Sequence, residues 1–508
     1  MASSVTHPVS GSMRDQYQLF WGDVHNHNAV GYAKGSLERS IDIAREHLDF
    51  FAFTGHASWH DMPLMPGDRH MKWVNGFDVH TKHWPKTRQL IKEATSDSFV
   101  AFLGYEWHSS AFGDYHLIFP EDQPDLYLPD HVEQLLDFAK QKGALAIPHH
   151  VGYKLPWRGA NWAYFRPDVT PVVEIFSEHG NCVSDRSPMP MLRHSNGGRQ
   201  TSNTIHYQLA QGLRFGFVAS TDDHLGYPGA YGEGIVGVWA EQLTPASLFD
   251  AIWNRRTYAS TGERTAVDFT LNGHPMGSEL PATAVRNIDV WVSGQDSIEM
   301  IELLRNGRTI KRHFPDDDIS GPLTFPSRAK CRIQYGWGPW AALALGRICQ
   351  WDMRVTIDGG RFMGATCCFQ SGPFHEDLRD TLRLVSEHEI QLQSFTSRDG
   401  CFAEDPTKSI ICDIEANPGA TLNITLTQPT HRELHIPVQD LITDNVIDFT
   451  DVFTSESLMV HRLVAPGEYA AAMQWEDQPS QPRQADWYYV RVRHHNGHMA
   501  WSSPIWVG

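Results

Sequence analysis

Short apolar runs that lead into histidine-rich polar residues recur along the first half of the chain. The run at residues 19–21 leads to His25 and His27, and a second run at 49–54 leads to His56. Between the two runs, apolar residues recur at the spacing of an amphipathic helix. The pattern predicts a strand, a helix and a second strand, with histidine at the carboxyl end of each strand.

The same alternation continues as far as a final predicted helix at residues 244–254. Because strands that alternate with helices form parallel sheets, about six or seven repeats predict a closed or nearly closed α/β barrel. Further strands are predicted at 99–105, 144–147, 172–176 and 215–220, and helices at 36–47, 130–142 and 201–212. In a barrel the strand carboxyl ends meet at one mouth, where this chain would place His25, His27, His56, Glu106, His149, His179, Asp222 and His224.

The second half of the chain has a β pattern instead. Alternating strands are predicted at residues 266–271, 288–292, 301–305, 351–357, 421–426 and 488–493, with Asn-Gly turns after two of them. Short strands at this spacing predict an antiparallel β-sandwich. The predicted organisation is a lead-in at 1–18, an α/β barrel at 19–262 and a sandwich-rich domain at 263–508, while 314–330 and 370–408 remain unassigned.

Composition narrows the class of protein. The chain has 508 residues, 41% hydrophobic residues and a net charge of −18, which is typical of a globular protein of two or three domains. The negative charge argues against nucleic acid or an anionic membrane as a partner. Seven cysteines without CxxC spacing indicate reduced thiols, and neither a signal peptide nor a spanning segment is evident. We therefore expect a soluble, cytoplasmic protein, with homo-oligomers left open.

The predicted cluster of imidazoles and carboxylates suits Zn²⁺, Mn²⁺ or Fe²⁺. No cysteine lies at a strand end, which argues against a structural zinc site. Glu106 can bridge two cations, and a cation with open positions lowers the pKa of bound water towards about 7. The predicted chemistry is hydrolysis. Since adjacent side chains diverge, His149 and His150 should not face the same ion, and Asp223 should point away from Asp222.

Several short motifs together resemble the PHP (polymerase and histidinol phosphatase) superfamily, and more closely its large DUF3604-like subgroup. They are Gly22-Asp23-Val24-His25-Asn26-His27, Gly104-Tyr105-Glu106-Trp107, Ile147-Pro148-His149-His150, Val173–Gly180, Ser220–His224, Leu304–Gly307 and Ala500–Val507. The resemblance implies a distorted (β/α)7 barrel followed by a β-sandwich, and a hydrolase with up to three metal ions.

Carried over by motif, the resemblance implies a ligand set for each ion. The first ion would take His25, His27, Glu106 and Asp222; the second Glu106, His149 and His179; and the third His56 and His224. Catalysis would rest on Glu106, Asp222 and His224. The chain departs from the family at Thr54-Gly55-His56, where Thr-Asp-His is usual, and residues 28–34 lack the usual Asp or His. We therefore expect two ions, with a third left open.

Aromatic-rich stretches after His56 and after His150 predict a mouth that suits a bulky organic substrate. The candidate substrate-binding residues are Trp59, His60, Trp107, His116, His150, Tyr153, Lys154, Trp157 and Arg158. The expected substrate is a small organic molecule with an ester-type bond, either a phosphoester or a carboxylic ester, carbamate or amide. The alternative is a non-catalytic metal- or carbohydrate-binding protein with a vestigial barrel.

Overall fold

The computed structural model of the protein describes residues 11–191, 197–319, 325–336, 347–397, 405–452, 455–479 and 485–508. In that part of the chain the fold is mixed α/β, with far more strand than helix. None of the helices there is both long and apolar enough to cross a membrane. The six cysteines that fall within these ranges are unpaired thiols.

The helices and strands follow one another in chain order with few long gaps. The α-helices are α1 (Met13–Gln16), α2 (Leu37–His47), α3 (Arg69–Ala94), α4 (Val132–Lys142), α5 (Ile205–Ala210), α6 (Pro245–Trp253) and α7 (Pro466–Tyr469). Short 3₁₀ helices lie at Trp162–Tyr164, Thr201–Asn203, Pro315–Asp318 and Asp440–Ile442.

The strands of the first half are β1 (Gln18–Asp23), β2 (Phe50–Phe53), β3 (His56–Trp59), β4 (Val100–His108), β5 (Tyr115–Ile118), β6 (Leu145–Pro148), β7 (Val172–Ser177), β8 (Gly180–Asn181), β9 (Gly216–Ala219), β10 (Ile235–Ala240) and β11 (Thr257–Ser260). Those of the second half begin with β12 (Ala266–Leu271), β13 (His274–Pro275), β14 (Glu279–Leu280), β15 (Arg286–Ser293), β16 (Ile298–Arg305), β17 (Arg308–His313) and β18 (Arg328–Tyr335). They continue with β19 (Cys349–Cys368), β20 (Thr381–Ser386), β21 (Glu389–Thr396), β22 (Lys408–Gln428), β23 (Arg432–Pro437), β24 (Val446–Phe449), β25 (Ser457–Val460), β26 (Ala470–Asp477), β27 (Asp486–His494), β28 (Met499–Ser502) and β29 (Ile505–Val507).

Helices α2 and α4 begin and end within two residues of their predicted bounds. The Ser36 hydroxyl accepts a hydrogen bond from the Arg39 backbone N–H, which caps α2. Helix α4 ends at Lys142 and is capped by Gly143, whose φ of +63° lies in the left-handed region that favours glycine. The predicted helix at 201–212 is instead a 3₁₀ turn followed by the short helix α5.

The sheet of the first half is only partly parallel. Strands β1, β2 and β4 pair in parallel, and β7 pairs in parallel with β9. However, β10 runs antiparallel to β1, and β5 lies antiparallel between β4 and β6. The prediction of a sheet with parallel strands alone is therefore wrong. It failed because β5 follows β4 as a hairpin, with no helix between them to mark it in the sequence.

Hydrogen-bonded pairing in the described residues leaves β6 and β7 in separate sheets. One sheet runs from β11 through β10, β1, β2, β4 and β5 to β6, and the other contains β8, β7 and β9. The C-terminal strands β27, β28 and β29 extend the first sheet beyond β11. Residues from both ends of the chain therefore build the layer that carries the polar strand ends.

The second half is antiparallel apart from the β14–β29 pair, as its alternation predicts. An eight-stranded sheet is built around β19 and β22, which have 20 and 21 residues, so the predicted strands 351–357 and 421–426 are segments of longer ones. Strands β20 and β21 lie in the unassigned range 370–408. A four-stranded sheet of β13, β12, β15 and β26 completes this half.

A buried ion pair joins the eight-stranded sheet to the loop that follows β9. Asp380 accepts hydrogen bonds from the Lys408 ammonium at 2.7 Å, the Tyr227 hydroxyl at 2.8 Å and the Ser394 hydroxyl at 2.6 Å. Burial would raise the pKa of Asp380, but the neighbouring Lys408 holds it below its usual value. The backbone N–H of Tyr227 in turn donates to Asp223 at 2.6 Å.

Replacing Lys408 by Met should destabilise the fold by about 3–5 kcal/mol, because the buried Asp380 carboxylate loses its partner. Urea unfolding followed by tryptophan fluorescence measures this loss. Lys86→Met is the matched control, since Lys86 pairs with Glu38 at the surface and should cost under about 1 kcal/mol. Equal losses in the two variants would contradict the role assigned to the buried pair.

Candidate metal centre

The polar residues that follow the strands of both first-half sheets meet at one edge. Residues after β1, β6, β7 and β9 and the side chains of β3 and β4 form one buried cluster. The turn after β9 is tight: Asp222 has a φ of +56°, and its backbone N–H donates to the His25 carbonyl at 2.8 Å. The cluster includes all eight predicted ligands, namely His25, His27, His56, Glu106, His149, His179, Asp222 and His224.

The innermost part of the cluster contains the two histidines that follow β1. His27 Nε2 lies 2.8 Å from Asp222 Oδ1, 3.1 Å from His25 Nε2 and 3.4 Å from Glu106 Oε2. The Nδ1–H of His25 donates to Glu174 at 2.9 Å, which leaves its Nε2 facing the other ligand atoms. A carboxylate behind a histidine is the usual arrangement that orients a metal-binding imidazole.

A second group lies around His149 and His179. His149 Nε2 is 2.7 Å from Glu106 Oε1, and His179 Nε2 is 3.0 Å from Asp222 Oδ2. The Tyr153 hydroxyl shares a 2.7 Å hydrogen bond with the other ring nitrogen of His179. His150 diverges from His149, as expected for neighbouring residues, and its Nε2 lies 3.4 Å from Asp114.

The third group is nearest to solvent. His56 Nε2 lies 3.4 Å from Glu106 Oε2, and the Tyr32 ring stacks on the His56 ring with centroids 3.7 Å apart. His224 lies at the mouth, with Nδ1 2.7 Å from the Asp222 carbonyl and 3.0 Å from Glu178. An aromatic ring therefore lies beside His56, in the segment 28–34 that lacks a ligand-type residue.

The charges of the cluster are strongly coupled. Burial would raise the pKa of Glu106, yet the surrounding imidazoles, His108 foremost, hold it well below its usual range. Burial would likewise raise the pKa of Asp222, which His25 and His179 hold well below its usual range. Burial lowers the pKa of both His27 and His149 to about 3, so both imidazoles stay neutral and able to bind a metal at neutral pH.

The donor set fits a divalent cation. Several groups of three or four His, Asp and Glu side chains offer ligand atoms within 4.8 Å of one another. The buried atoms Glu106 Oε2 and His27 Nδ1 make no hydrogen bond. Buried carboxylate oxygens without partners are costly unless a cation balances them. The groups are His25-His116-His149, His27-His56-His224, Glu106-Asp114-His149-His150, His25-His27-Asp222 and His56-Glu106-His108, among others.

A cavity of about 410 Å³ opens onto the cluster. Its floor is formed by cluster residues, and its walls are mostly aromatic and cationic. The full lining is Tyr32, His56, Trp59, Met65, Arg69, Lys72, Trp73, Glu106, Arg158, Glu178, His179, Asp222 and His224. Of the predicted substrate-binding residues, Trp59 and Arg158 belong to this lining.

The remaining predicted substrate-binding residues lie elsewhere. Trp107 is fully buried, where its indole N–H donates to the Pro129 carbonyl at 2.7 Å, and His60 stacks on its ring. Lys154 and Trp157 point to solvent outside the cavity. Three others, His116, His150 and Tyr153, support cluster histidines from behind.

Sequence reasoning missed His108, Asp114, Glu174, Tyr32 and the cavity residues of α3. His108 was detectable, because it lies two residues after Glu106 and strand residues at that spacing share a face. The segment after His56 was interpreted as one long loop, whereas α3 begins at Arg69 and carries Lys72 and Trp73. Glu174 lies 149 residues from its partner His25 in sequence, and Asp114 contacts His150 on the far side of helix α4, so only the fold brings each pair together.

A family model described as "Protein of unknown function (DUF3604)" matches residues 229–274. The match confirms the predicted resemblance to DUF3604 proteins over this segment. It begins after His224 and so contains none of the candidate ligands.

Uncharacterized proteins of two Chlamydia species are similar to this chain. That of Chlamydia muridarum is 27% identical over 341 residues, which cover 61% of this chain and 51% of the relative. That of Chlamydia pneumoniae is 30% identical over 327 residues, which cover 59% of this chain and 49% of the relative. The chain thus spans about half the length of the curated relatives it matches.

Two solved structures are also similar. A two-domain protein from Bacteroides vulgatus, described as containing a predicted PHP-like metal-dependent phosphoesterase, is 13% identical and has a TM-score of 0.33; the match covers 83% of this chain and 96% of that one. PsfC from Pseudomonas syringae is 13% identical with a TM-score of 0.30, over 46% of this chain and 89% of that one. At these TM-scores the superpositions carry no argument about fold or activity.

Binding of a divalent cation to this cluster should strengthen as pH rises from about 5 to 8. Burial lowers the pKa of His25, but Asp222 and Glu174 raise it well above its usual value, so a cation must displace a proton. One displaced proton raises the apparent affinity about tenfold per pH unit. Competition with a chelator of known affinity measures the affinity at each pH, and a pH-independent affinity would contradict the prediction.

Proposed function

We propose that the protein is a metal-dependent hydrolase that cleaves an ester-type bond in a small organic molecule. The observation that carries this proposal is the convergence of buried imidazoles and carboxylates on the floor of an open cavity. A purely structural polar cluster has no need of a cavity, whereas a catalytic one requires space for its substrate.

The ligand roles proposed for the chain follow the three groups of the cluster. Glu106 lies between the groups, with Oε1 towards His149 and Oε2 towards His27 and His56, and so suits a bridging role. A divalent cation bound there would lower the pKa of water and polarise the ester bond. The ions would be two, with Zn²⁺, Mn²⁺ and Fe²⁺ all compatible with nitrogen and oxygen ligands. Asp222, buried in the cavity lining, and His224, at the mouth, would move protons.

A phosphoester is the substrate that the cavity walls favour. Arg158 lies in the wall, and Arg69 and Lys72 contribute two further cations at the rim. Phosphate recognition commonly uses such residues. The rings of Trp59 and Trp73 suit an aromatic group on the substrate. An aryl carbamate or amide uses the aromatic wall but offers no anionic group to the rim cations Arg69 and Lys72.

The proposed organisation is a distorted PHP-type barrel at 19–262 followed by a β-rich domain at 263–508, in a cytoplasmic protein. Contacts between the two first-half sheets support the barrel. The Thr257 hydroxyl on β11 donates to the Phe217 carbonyl on β9 at 2.9 Å. The proposed partner is a small molecule, without nucleic acid or membrane.

His25→Ala should lower both metal content and turnover. The variant removes a donor from the innermost group, so we expect at least about one ion fewer per chain. Turnover should fall about 100-fold or more, since even the partners of metal ligands are worth about 10–100-fold. Elemental analysis gives the ion content, and p-nitrophenyl phosphates and aryl carbamates with Mn²⁺ or Zn²⁺ give the activity.

His431→Asn serves as the control, because His431 is 70% exposed and lies just before β23 of the eight-stranded sheet. Turnover of the phosphates alone supports the phosphoester, and turnover of the carbamates alone supports the rival bond. No turnover of either by the metal-loaded protein would contradict the hydrolase. Less than one ion per chain, unchanged in His25→Ala, would instead favour a vestigial, non-catalytic barrel.

Arg158→Lys should raise KM for an aryl phosphate about tenfold and change kcat little. The Arg158 guanidinium donates to Asp114 at 2.6 Å and lies over the rings of Trp59 and Trp73, which fixes its position in the wall. Lysine keeps the positive charge but lacks the planar guanidinium that can donate two parallel hydrogen bonds to one phosphate. A hydrogen bond to a charged group is worth about 1.5–3 kcal/mol.

The matched control for this variant is Arg166→Lys. Arg166 also pairs with a carboxylate, Asp168, but at the surface outside the cavity. Its KM should equal that of the unmodified protein. An equal KM for Arg158→Lys with unchanged metal content would exclude Arg158 from substrate binding.

A further inference from the structure

A groove runs along helix α3 beside the cavity and outside the metal centre. Its volume is about 580 Å³, and it lies between residues 31–33 and the first three turns of α3. The groove and the cavity have the side chains of Tyr32 and Lys72 in common. None of the eight candidate metal ligands belongs to the lining of the groove. The groove is therefore a continuation of the cavity, past two shared side chains, into a region without metal ligands.

Helix α3 presents different faces to the cavity and to the groove. Each residue of a helix is turned by about 100° from the one before it. Arg69 and Trp73 line the cavity and lie on the same face. The groove face, more than a third of a turn away, consists of Met71, Asn75 and Val79. Lys72 lies between the two faces, which explains why its side chain lines both spaces.

A close contact between two glycines fixes the width of the groove. A Cβ atom added at Gly76 would lie 2.8 Å from the Gly31 carbonyl oxygen and 2.8 Å from the Tyr32 Cβ. Glycine at position 76 is therefore what lets α3 approach residues 31–33 so closely. The Tyr32 ring contacts the rings of His56 and Trp73, with centroids 3.7 Å and 3.9 Å away. Both walls are thus held in place by contacts within the protein.

The chemistry of the groove suits a flat, uncharged ring. Met71 is 53% exposed, and Ala33 and Val79 are half-buried. A large apolar side chain that is open to water beside a groove is stabilised when an apolar group covers it. Asp68 and Lys72 contribute one charge of each sign to the lining, so the groove favours neither an anion nor a cation.

From this geometry we propose that the groove is a subsite for the aryl part of the substrate and receives a second ring. The inference rests on the hydrolase proposed above and narrows its substrate class to esters of extended, biaryl-type alcohols. The ester bond would lie at the metal centre, the first ring beside Trp59 and Trp73, and the second ring beyond Tyr32 and Lys72. An ester with one ring would occupy the cavity alone.

Steady-state kinetics with paired substrates test the proposal. Phenyl and 4-biphenylyl phosphates differ by one ring, as do phenyl and 4-biphenylyl carbamates, and the bond that the metal-loaded protein cleaves decides which pair is used. KM for the biphenylyl ester should be at least about tenfold lower than KM for the phenyl ester. Covering one further ring with an apolar wall is worth about this factor.

Asn75→Trp should remove this preference and bring the two KM values close together. Asn75 is exposed on α3, so the fold should tolerate tryptophan, and the new ring would fill the groove. Thr81→Trp is the matched control. Thr81 is also exposed on α3 but lines neither the groove nor the cavity, so the preference of about tenfold should persist there.

Titration calorimetry with phenylphosphonate and 4-biphenylylphosphonate measures the same preference without turnover, because their carbon–phosphorus bond is not an ester. The KM values decide where an ester is cleaved, and the phosphonate affinities decide where none is. Should Asn75→Trp fail to fold, Met71→Asp decides, since a carboxylate on this exposed wall should also abolish the preference.

The outcomes separate the subsite from the hydrolase. Turnover with equal KM values for the two members of a pair would overturn the subsite and leave the hydrolase standing. A preference that Asn75→Trp retains would also overturn the subsite, because the second ring would then lie elsewhere. If the metal-loaded protein cleaves neither pair and binds neither phosphonate, both proposals are wrong.

Discussion

The buried carboxylate of Glu106 is the group on which the arrangement of the site depends. Its Oε1 faces His149 and His108, and its Oε2 faces His25, His27 and His56. A charge removed from water at this depth is costly unless opposite charge surrounds it. The converging imidazoles meet that requirement only in part, since burial keeps most of them neutral. A divalent cation would complete the balance, in line with the metal centre proposed for this cluster.

The fold supports this carboxylate from several directions. The parallel register of β3 and β4 sets His56 beside Glu106, and the hairpin to β5 places His116 behind His149. Glu174 on β7 orients His25 from the opposite side. These supporting residues are buried and have no solvent to reorganise, so the ligand atoms are held in place before any ion arrives. Preorganisation of this kind is what a cavity open to substrate requires.

In the part of it that the structure describes, the second half of the chain supports the site without lining its cavity. Tyr227, three residues after His224, is held by Asp380 and Lys408 of the eight-stranded sheet. Strands β27 to β29 extend the sheet that contains β1, the strand that leads to His25 and His27. The β-rich part therefore has a structural role in keeping the strand ends and the loop after β9 in position, whatever else it binds.

The sequence by itself determined the strand ends, because apolar runs and the polar residues after them are local properties of the chain. It therefore predicted eight residues of the cluster and the strands β1, β2, β4, β6, β7 and β9, but not β3, β5 or α3. Only the tertiary structure decided the antiparallel hairpin at β5, the aromatic and cationic cavity wall on α3, and the partners Asp114 and Glu174. The cavity wall and the two partners depend on contacts between residues far apart in sequence, and β5 takes its place in the sheet by pairing with both β4 and β6. For the same reason, the sequence does not distinguish Trp107 from Trp157. In the structure Trp107 is buried in the core, whereas Trp157 is exposed to solvent.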